Sequence, residues 1–153
     1  TTDLESLKGG EPDENANIIW SIFNGETGPR RDIVIFNAGA GMRLENLDIW
    51  RRSVDLSVEI YRHFSGHHDF GFRDQITRSS LSLPSNIEEG FGRASEKEKV
   101  LFLNYAKGSA GELKTQLIIG HRIGYIPEDM SSRWGEEVDQ LSRMLFAIMR
   151  KLK

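Results

Sequence analysis

The sequence contains no cysteine. This absence excludes disulfide bonds, thiolate nucleophiles and cysteine-ligated zinc, and it favours a reducing compartment such as the cytoplasm. The first ten residues are polar and acidic and lack the pattern of a secretory signal peptide, which favours the same location. Long apolar runs are missing too, and none approaches the roughly 20 residues that a membrane helix needs, so we expect no membrane partner.

A strong charge of either sign is also lacking. The formal net charge is −3, with three basic and seven acidic residues in 1–41 and 17 basic and 16 acidic residues in the remainder. Neither part is basic enough for its charge alone to predict binding to nucleic acid. Arginines repeated by a symmetric assembly could nevertheless accumulate phosphate contacts, so an RNA or DNA partner stays open.

The composition changes near residue 41. Glycine and asparagine recur before this point, whereas long stretches after it contain neither glycine nor proline. The change predicts an N-terminal extension over 1–41 and a folded domain over 42–153. Within the extension, residues 13–23 fit a short helix, but periodicity does not decide between helix and strand for residues 32–36.

The domain has the 3.6-residue periodicity of amphipathic helices, which we predict over residues 45–64, 72–90, 95–124 and 127–153. Their predicted buried faces are Leu47, Trp50, Val54, Val58 and Tyr61; Ile76, Ser80, Leu83, Ile87 and Phe91; Phe102, Ala106, Ser109, Leu113, Leu117 and Gly120; and Trp134, Val138, Leu141, Leu145, Ile148 and Leu152. Ser95 and Glu98 form the pattern of a capping box at the start of the third helix. Four helices joined by short loops predict an all-α, antiparallel up-down four-helix bundle.

No motif of a metal centre or an active site accompanies these helices. His67, His68 and Asp69 could bind a metal, but adjacent histidines in an exposed loop are expected to diverge, and no third ligand is placed by the sequence. Gly90 and Gly92 lie in half of a phosphate-binding pattern that lacks its third glycine and its preceding strand. We therefore predict no catalytic residues, no metal and no cofactor.

Polar residues of the second and third helices form a candidate cluster. Its members are Asn86, Glu89, Arg93, Glu112 and Gln116. Salt bridges between helices are the simpler interpretation, and a ligand site is the alternative.

The third helix carries more apolar residues than one buried face can hold, and small residues interrupt it. Such an excess is typical of a protein contact, and glycines in a helix permit another backbone to approach closely. Val100 and Leu103 are among the residues predicted to lie off the buried face, and Met144, Phe146 and Met149 lie beside the seam of the fourth helix. The candidate oligomer interface comprises Leu101, Tyr105, Gly108, Gly111 and Ile118.

Two strings in the domain are specific. Residues 84–93 read P-S-N-I-E-E-G-F-G-R, and residues 108–116 read G-S-A-G-E-L-K-T-Q. With these strings the domain resembles a family of small bacterial proteins first noted as reading frames inside intervening sequences of 23S ribosomal RNA genes. The resemblance implies a left-handed four-helix bundle, commonly a ring of five. Relatives include a basic pentameric accessory protein of diversity-generating retroelements, which binds nucleic acid and reverse transcriptase.

The N-terminal extension resembles a different family. Residues 7–16 and 25–40 are similar to part of the C-terminal domain of anthranilate phosphoribosyltransferase. That resemblance implies short helices, including residues 32–36. The family's phosphoribosyl-diphosphate loop, its metal-binding acidic pair and its anthranilate contacts lie outside this stretch, so transferase activity is only a remote alternative.

Three hypotheses of function follow. The leading one is a non-catalytic homo-oligomer, a pentamer by resemblance, that presents a repeated surface to a partner. The second is an accessory factor of nucleic acid or of a ribonucleoprotein. The third is a fragment with residual phosphoribosyl transfer.

Overall fold

The computed structural model describes residues 44–152, and the side chains of residues 48–152. Over this range the chain forms four α-helices and no strand: α1 over Leu44–His63, α2 over Phe70–Gly92, α3 over Glu96–Arg122 and α4 over Glu128–Lys151. The all-helical prediction is therefore confirmed. The predicted boundary at residue 41 and the predicted helices of residues 1–41 lie outside the described residues.

Side-chain contacts establish how the helices are arranged. Residue numbers rise on one helix as they fall on its neighbour in all four adjacent pairs, so neighbouring helices are antiparallel. Ser57 contacts Ser80 between α1 and α2, and Phe64, just after α1, contacts Phe72. Between α2 and α3, Ser82 contacts Ser109 and Ser79 contacts Gln116. Lys114 of α3 contacts Asp139 of α4, and Gly120 of α3 lies against Ile126, just before α4. Between α1 and α4, Arg52 contacts Glu137 and Glu59 contacts Trp134. Because α1 and α3 each contact both α2 and α4, the predicted four-helix bundle is confirmed, with α1 and α3 at opposite corners.

The buried face of α1 differs from the prediction. Its fully buried apolar residues are Ile49, Leu56, Ile60 and Phe64. By contrast, Val58 is 40% exposed and Tyr61 is 44% exposed. Both sets recur at helical spacing, so α1 has two apolar faces, and periodicity alone cannot tell which of them meets the core. The predicted core residue Leu47 lies outside the described side chains.

The cores of the other helices follow the prediction at most positions, although the predicted core residues Phe91, Ile148 and Leu152 are only partly buried. Ile76, Leu83, Ile87, Ala106, Leu113, Leu117, Trp134, Val138, Leu141 and Leu145 are buried. In α3, Leu103 is fully buried although it was predicted off the core face, while Phe102 is only partly buried and packs against the guanidinium of Arg93. In α4, Met149 is buried although it was predicted beside the seam. Burial thus covers a wider stripe than a single row of residues.

Local signals account for the ends of α3. Ser95 Oγ accepts the backbone N–H of Glu98 at 3.2 Å, which confirms Ser95 as the N-cap. The Glu98 carboxylate accepts from the Ser95 hydroxyl at 2.8 Å and not from the Ser95 backbone N–H, so the reciprocal half of the predicted capping box differs. The helix ends at Arg122, two residues earlier than predicted, because Gly124 adopts a φ of +82°. The Tyr125 N–H then bonds the Gly120 carbonyl at 2.8 Å, and the Gly124 N–H bonds that of His121 at 3.1 Å, as in a Schellman motif. No helix within the described range is long and apolar enough to cross a membrane.

Candidate functional site

The predicted polar cluster does not form one constellation. Glu89 and Arg93 form an ion pair at the end of α2, where the Arg93 guanidinium lies 4.6 Å from the centre of the Phe102 ring. Gln116 instead accepts a hydrogen bond from Ser79, which lies about 15 Å from Glu89 along α2 at 1.5 Å per residue. These two groups are too far apart to bind one small ligand.

The remaining cluster residues lie elsewhere. Asn86 donates to the Ser82 carbonyl at 2.9 Å and to its hydroxyl at 3.0 Å, and the same hydroxyl accepts from Ser109 at 2.9 Å. This network joins α2 to α3 through short side chains. Glu112 is exposed on the outer side of α3. These residues therefore do not line one common space in which a ligand could bind.

The histidine-containing loop between α1 and α2 serves as a connector. The rings of His67 and His68 stack at 4.6 Å, so the prediction that they diverge was wrong. Asp69 Oδ1 accepts the Phe72 N–H at 2.9 Å and caps α2, while Oδ2 accepts the Tyr125 hydroxyl at 3.0 Å. The helix cap and the Tyr125 hydroxyl together lower the pKa of Asp69. Both carboxylate oxygens are thus used, and no group of three potential metal ligands occurs among the described residues.

A polar seam between α1 and α4 was not found from the sequence. Arg52 donates from Nε to Glu137 Oε1 at 2.7 Å and from Nη2 to Oε2 at 2.8 Å. About two turns further along α1, Glu59 accepts from the Trp134 indole N–H at 3.0 Å and pairs with Arg133 at 2.7 Å. The indole N–H is the main cause of the lowered pKa of Glu59. These partners lie 74 to 85 positions apart in the chain, so only knowledge of which helices are adjacent reveals them.

The first exposed apolar surface runs along α3. The α3 outer stripe consists of Leu101, Tyr105, Gly108, Glu112 and Ile119, whose spacings of four, three, four and seven place them on one helix face. Leu101, Tyr105 and Ile119 are 46%, 51% and 46% exposed. A Cβ atom added at Gly108 would meet nothing within 4 Å, so the helix surface is open there.

The residues of the predicted oligomer interface lie on two different sides of α3. Leu101, Tyr105 and Gly108 belong to the α3 outer stripe. Ile118 lies about 100° around the helix from Leu101, at 3.6 residues per turn, and Gly111 lies on the same side as Ile118. Ile118 borders α4, where it lines a small polar depression with Lys114 and Asp139. The five predicted residues thus face two directions.

The second exposed apolar surface is a groove between α1 and α2. This α1/α2 groove has a volume of about 270 Å³ and is lined by Val54, Val58, Tyr61, Arg62 and Leu81, together with the more deeply buried Ser57 and Pro84. Leu81 is 50% exposed. Val54, Val58 and Tyr61 were predicted as core, so the structure places a predicted core face at a surface depression.

Comparison with known proteins connects the bundle to one family. Residues 45–147, about two thirds of the chain, match the profile of the family described as 23S rRNA-intervening sequence protein. A crystal structure of a protein of unknown function from the S23 ribosomal protein family of Bacteroides thetaiotaomicron has the same fold. It superimposes with a TM-score of 0.63 over 67% of this chain and 98% of that one, at 24% identity.

Shorter matches connect the chain to a second family. Anthranilate phosphoribosyltransferase of Clostridium beijerinckii is 54% identical over 44 residues, which are 29% of this chain and 13% of that enzyme. The enzyme of Acetivibrio thermocellus is 58% identical over 38 residues, 25% of this chain and 11% of that enzyme. The resemblance is therefore real but partial, since the chain spans about an eighth of the length of these relatives.

Proposed function

We propose that this chain, which belongs to the 23S rRNA-intervening sequence protein family, is a non-catalytic bundle that assembles with copies of itself in the cytoplasm and presents the repeated surface of that assembly to a partner. The observation that carries the proposal is the α3 outer stripe. Its apolar side chains are about half exposed although the opposite face of the same helix is completely buried in the core.

Burial of the stripe in an assembly would be favourable. Removing apolar surface from water stabilises a contact by about 25 cal/mol per Å². Contiguous exposed apolar patches are uncommon on monomeric proteins and mark contact sites. Gly108 adds a place where a neighbouring helix can approach closely without displacing a side chain of this chain. A cyclic homo-oligomer accounts for both features, and the family resemblance favours five copies.

The absence of a catalytic role is part of the proposal. Asp69 caps α2, Arg52 pairs with Glu137 between helices, and Arg93 pairs with Glu89 within α2, so these charged groups serve the fold. The similarity to anthranilate phosphoribosyltransferase covers about an eighth of that enzyme, so we expect no phosphoribosyl transfer by this chain. Turnover of phosphoribosyl diphosphate and anthranilate would contradict this part of the proposal.

Sedimentation of matched variants tests the assembly. Leu101→Asp places a charge in the α3 outer stripe and should produce monomers, because a carboxylate is costly to bury without a partner. Phe146→Asp is the control, since Phe146 is similarly exposed at 57% but lies on α4. Leu101→Asp should keep the helical circular dichroism of the wild-type protein. An unchanged sedimentation coefficient for Leu101→Asp would overturn the role of the stripe.

A further inference from the structure

We infer that the α3 outer stripe of one copy lies in the α1/α2 groove of the next copy. This inference rests on the proposed assembly and specifies its contact. The stripe is a convex apolar surface on a single helix, and the groove is a concave apolar surface between two helices. Each lacks a partner within the described part of the chain.

The positions of the two surfaces determine the kind of assembly. Because α3 occupies the corner opposite α1, the stripe and the α1/α2 groove lie on different sides of the bundle. A contact between them is therefore heterologous, and an open row of copies keeps a free stripe at one end and a free groove at the other until it closes on itself. Heterologous contacts of this kind generate rings when the rotation closes.

The residues match in register along the helices. α1 and α3 run in the same direction, because both are antiparallel to α2. In a ring whose axis is parallel to the bundle, α3 of one copy therefore runs parallel to α1 of the next. If Glu112 lies level with Arg62, then Gly108 lies level with Val58, since each is four residues earlier. The Val58 side chain of the next copy then packs against Gly108 of the first copy, where no side chain is in the way.

The same register pairs the larger apolar residues. Tyr105 precedes Glu112 by seven residues, about 10 Å at 1.5 Å per residue. Leu81 follows Ser80, which contacts Ser57 at 3.2 Å, so Leu81 lies about 10 Å from Arg62 in the same direction along α1. Tyr105 of one copy thus meets Leu81 of the next. At the other end, Ile119 comes within about 3 Å of the level of Phe70, which is 64% exposed.

Charge complementarity fixes this register. Arg62 is the charged residue among those lining the groove, and Glu112 is the charged residue within the stripe. Both are exposed, and neither lies within salt-bridge distance of another described residue, while Arg62 acts on Glu59 of the same helix only at longer range. The contact brings opposite charges together beside an apolar patch, where a pair is less screened by solvent than on an open surface.

Charge reversal tests the pairing of Arg62 with Glu112. Sedimentation equilibrium of the full chain should show that Arg62→Glu and Glu112→Arg each weaken assembly by at least about tenfold, and that the double variant recovers most of the loss. Arg143→Glu, on the exposed side of α4, is the control and should assemble like the wild type. Equal weakening in the single and double variants would overturn the pairing.

Mixing two defective variants tests the heterologous contact itself. Leu101→Asp damages the stripe and Leu81→Asp damages the groove, so each variant alone should be monomeric. Mixed together, they retain one intact stripe and one intact groove and should form a dimer of one copy of each. Absence of this mixed dimer overturns the inference.

The outcomes separate the inference from the proposed function. A wild-type chain that is monomeric contradicts both. A wild-type oligomer that is unaffected by Leu81→Asp and by charge reversal at Arg62 contradicts the inference alone, because the copies then meet through other surfaces.

Discussion

The guanidinium of Arg52 on α1 and the carboxylate of Glu137 on α4 are joined by two parallel hydrogen bonds of 2.7 and 2.8 Å. The pair also contacts Gln140, whose side-chain oxygen accepts from Arg52. A guanidinium is charged at every ordinary pH, and hydrogen bonding to Glu137 raises the pKa of Arg52 further. This bidentate geometry links the first and last helices of the bundle.

Removal of one partner should measurably destabilise the bundle. Glu137→Ala is expected to lower the free energy of unfolding by about 1 kcal/mol, because the pair is bidentate but its side chains are still 29% and 27% exposed. Urea denaturation measures the effect. Glu136→Ala, at an exposed neighbouring position, is the control and should change stability little. Equal stability of the two variants would show that the pair contributes nothing.

Stability should decrease in acid partly through Glu59. The Trp134 indole N–H and Arg133 hold the pKa of Glu59 below the usual range of a glutamate in the folded protein. A carboxyl whose folded pKa is lowered contributes stability above its unfolded pKa, and this contribution is lost as the pH falls through the folded pKa. Below about pH 4.5 the wild-type protein should therefore lose stability more steeply than Glu59→Gln. Parallel pH profiles from thermal unfolding would contradict this assignment.

Two substitutions on α1 test which face is buried. Ile60→Ala should lower the free energy of unfolding by about 2 to 4 kcal/mol, because Ile60 is fully buried in the core. Val58→Ala should cost well under half of that in the monomer, because Val58 is 40% exposed. Both variants should be compared by urea titration in the Leu101→Asp background, so that the measured difference contains no contribution from assembly. A larger loss for Val58→Ala would restore the face predicted from the sequence.

Two glycines of α3 should respond in opposite directions to alanine. A Cβ at Gly120 would lie 2.7 Å from Ile126 and 2.9 Å from Phe72, so Gly120→Ala should destabilise the protein by about 1 to 3 kcal/mol. A Cβ at Gly111 meets nothing within 4 Å, so Gly111→Ala should raise the stability of the monomer by up to about 1 kcal/mol through helix propensity. Thermal melting in the Leu101→Asp background distinguishes the two. Stabilisation by Gly120→Ala would mean that the loop packs more loosely than described.

The sequence predictions succeeded for features that depend on residues close together in the chain. The N-cap at Ser95 and the seam from Trp134 to Leu145 depend on neighbours within a few residues, and the structure confirms both. The buried face of α1 depends on which of two apolar faces meets α2 and α4, and the prediction chose the wrong one. Where both faces are apolar, only the packing of the other helices decides between them.

The candidate sites were less predictable for the same reason. Glu89 and Arg93 are paired as neighbours on one helix, as spacing allows, but Gln116 bonds Ser79 on another helix far from that pair. The α1/α2 groove was hidden in the sequence because Val58 and Tyr61 look like core residues. Their exposure becomes evident only when Ile60 and Phe64 are seen to fill the interior.

The mass of the wild-type chain in solution tests the central claim most directly. Multi-angle light scattering at micromolar concentration should give a mass several times the 17.4 kDa of one chain, and five times that mass for the ring that the family resemblance favours. The Leu101→Asp variant should give the mass of one chain under the same conditions. A wild-type mass of 17.4 kDa at every micromolar concentration tested would contradict the proposed assembly.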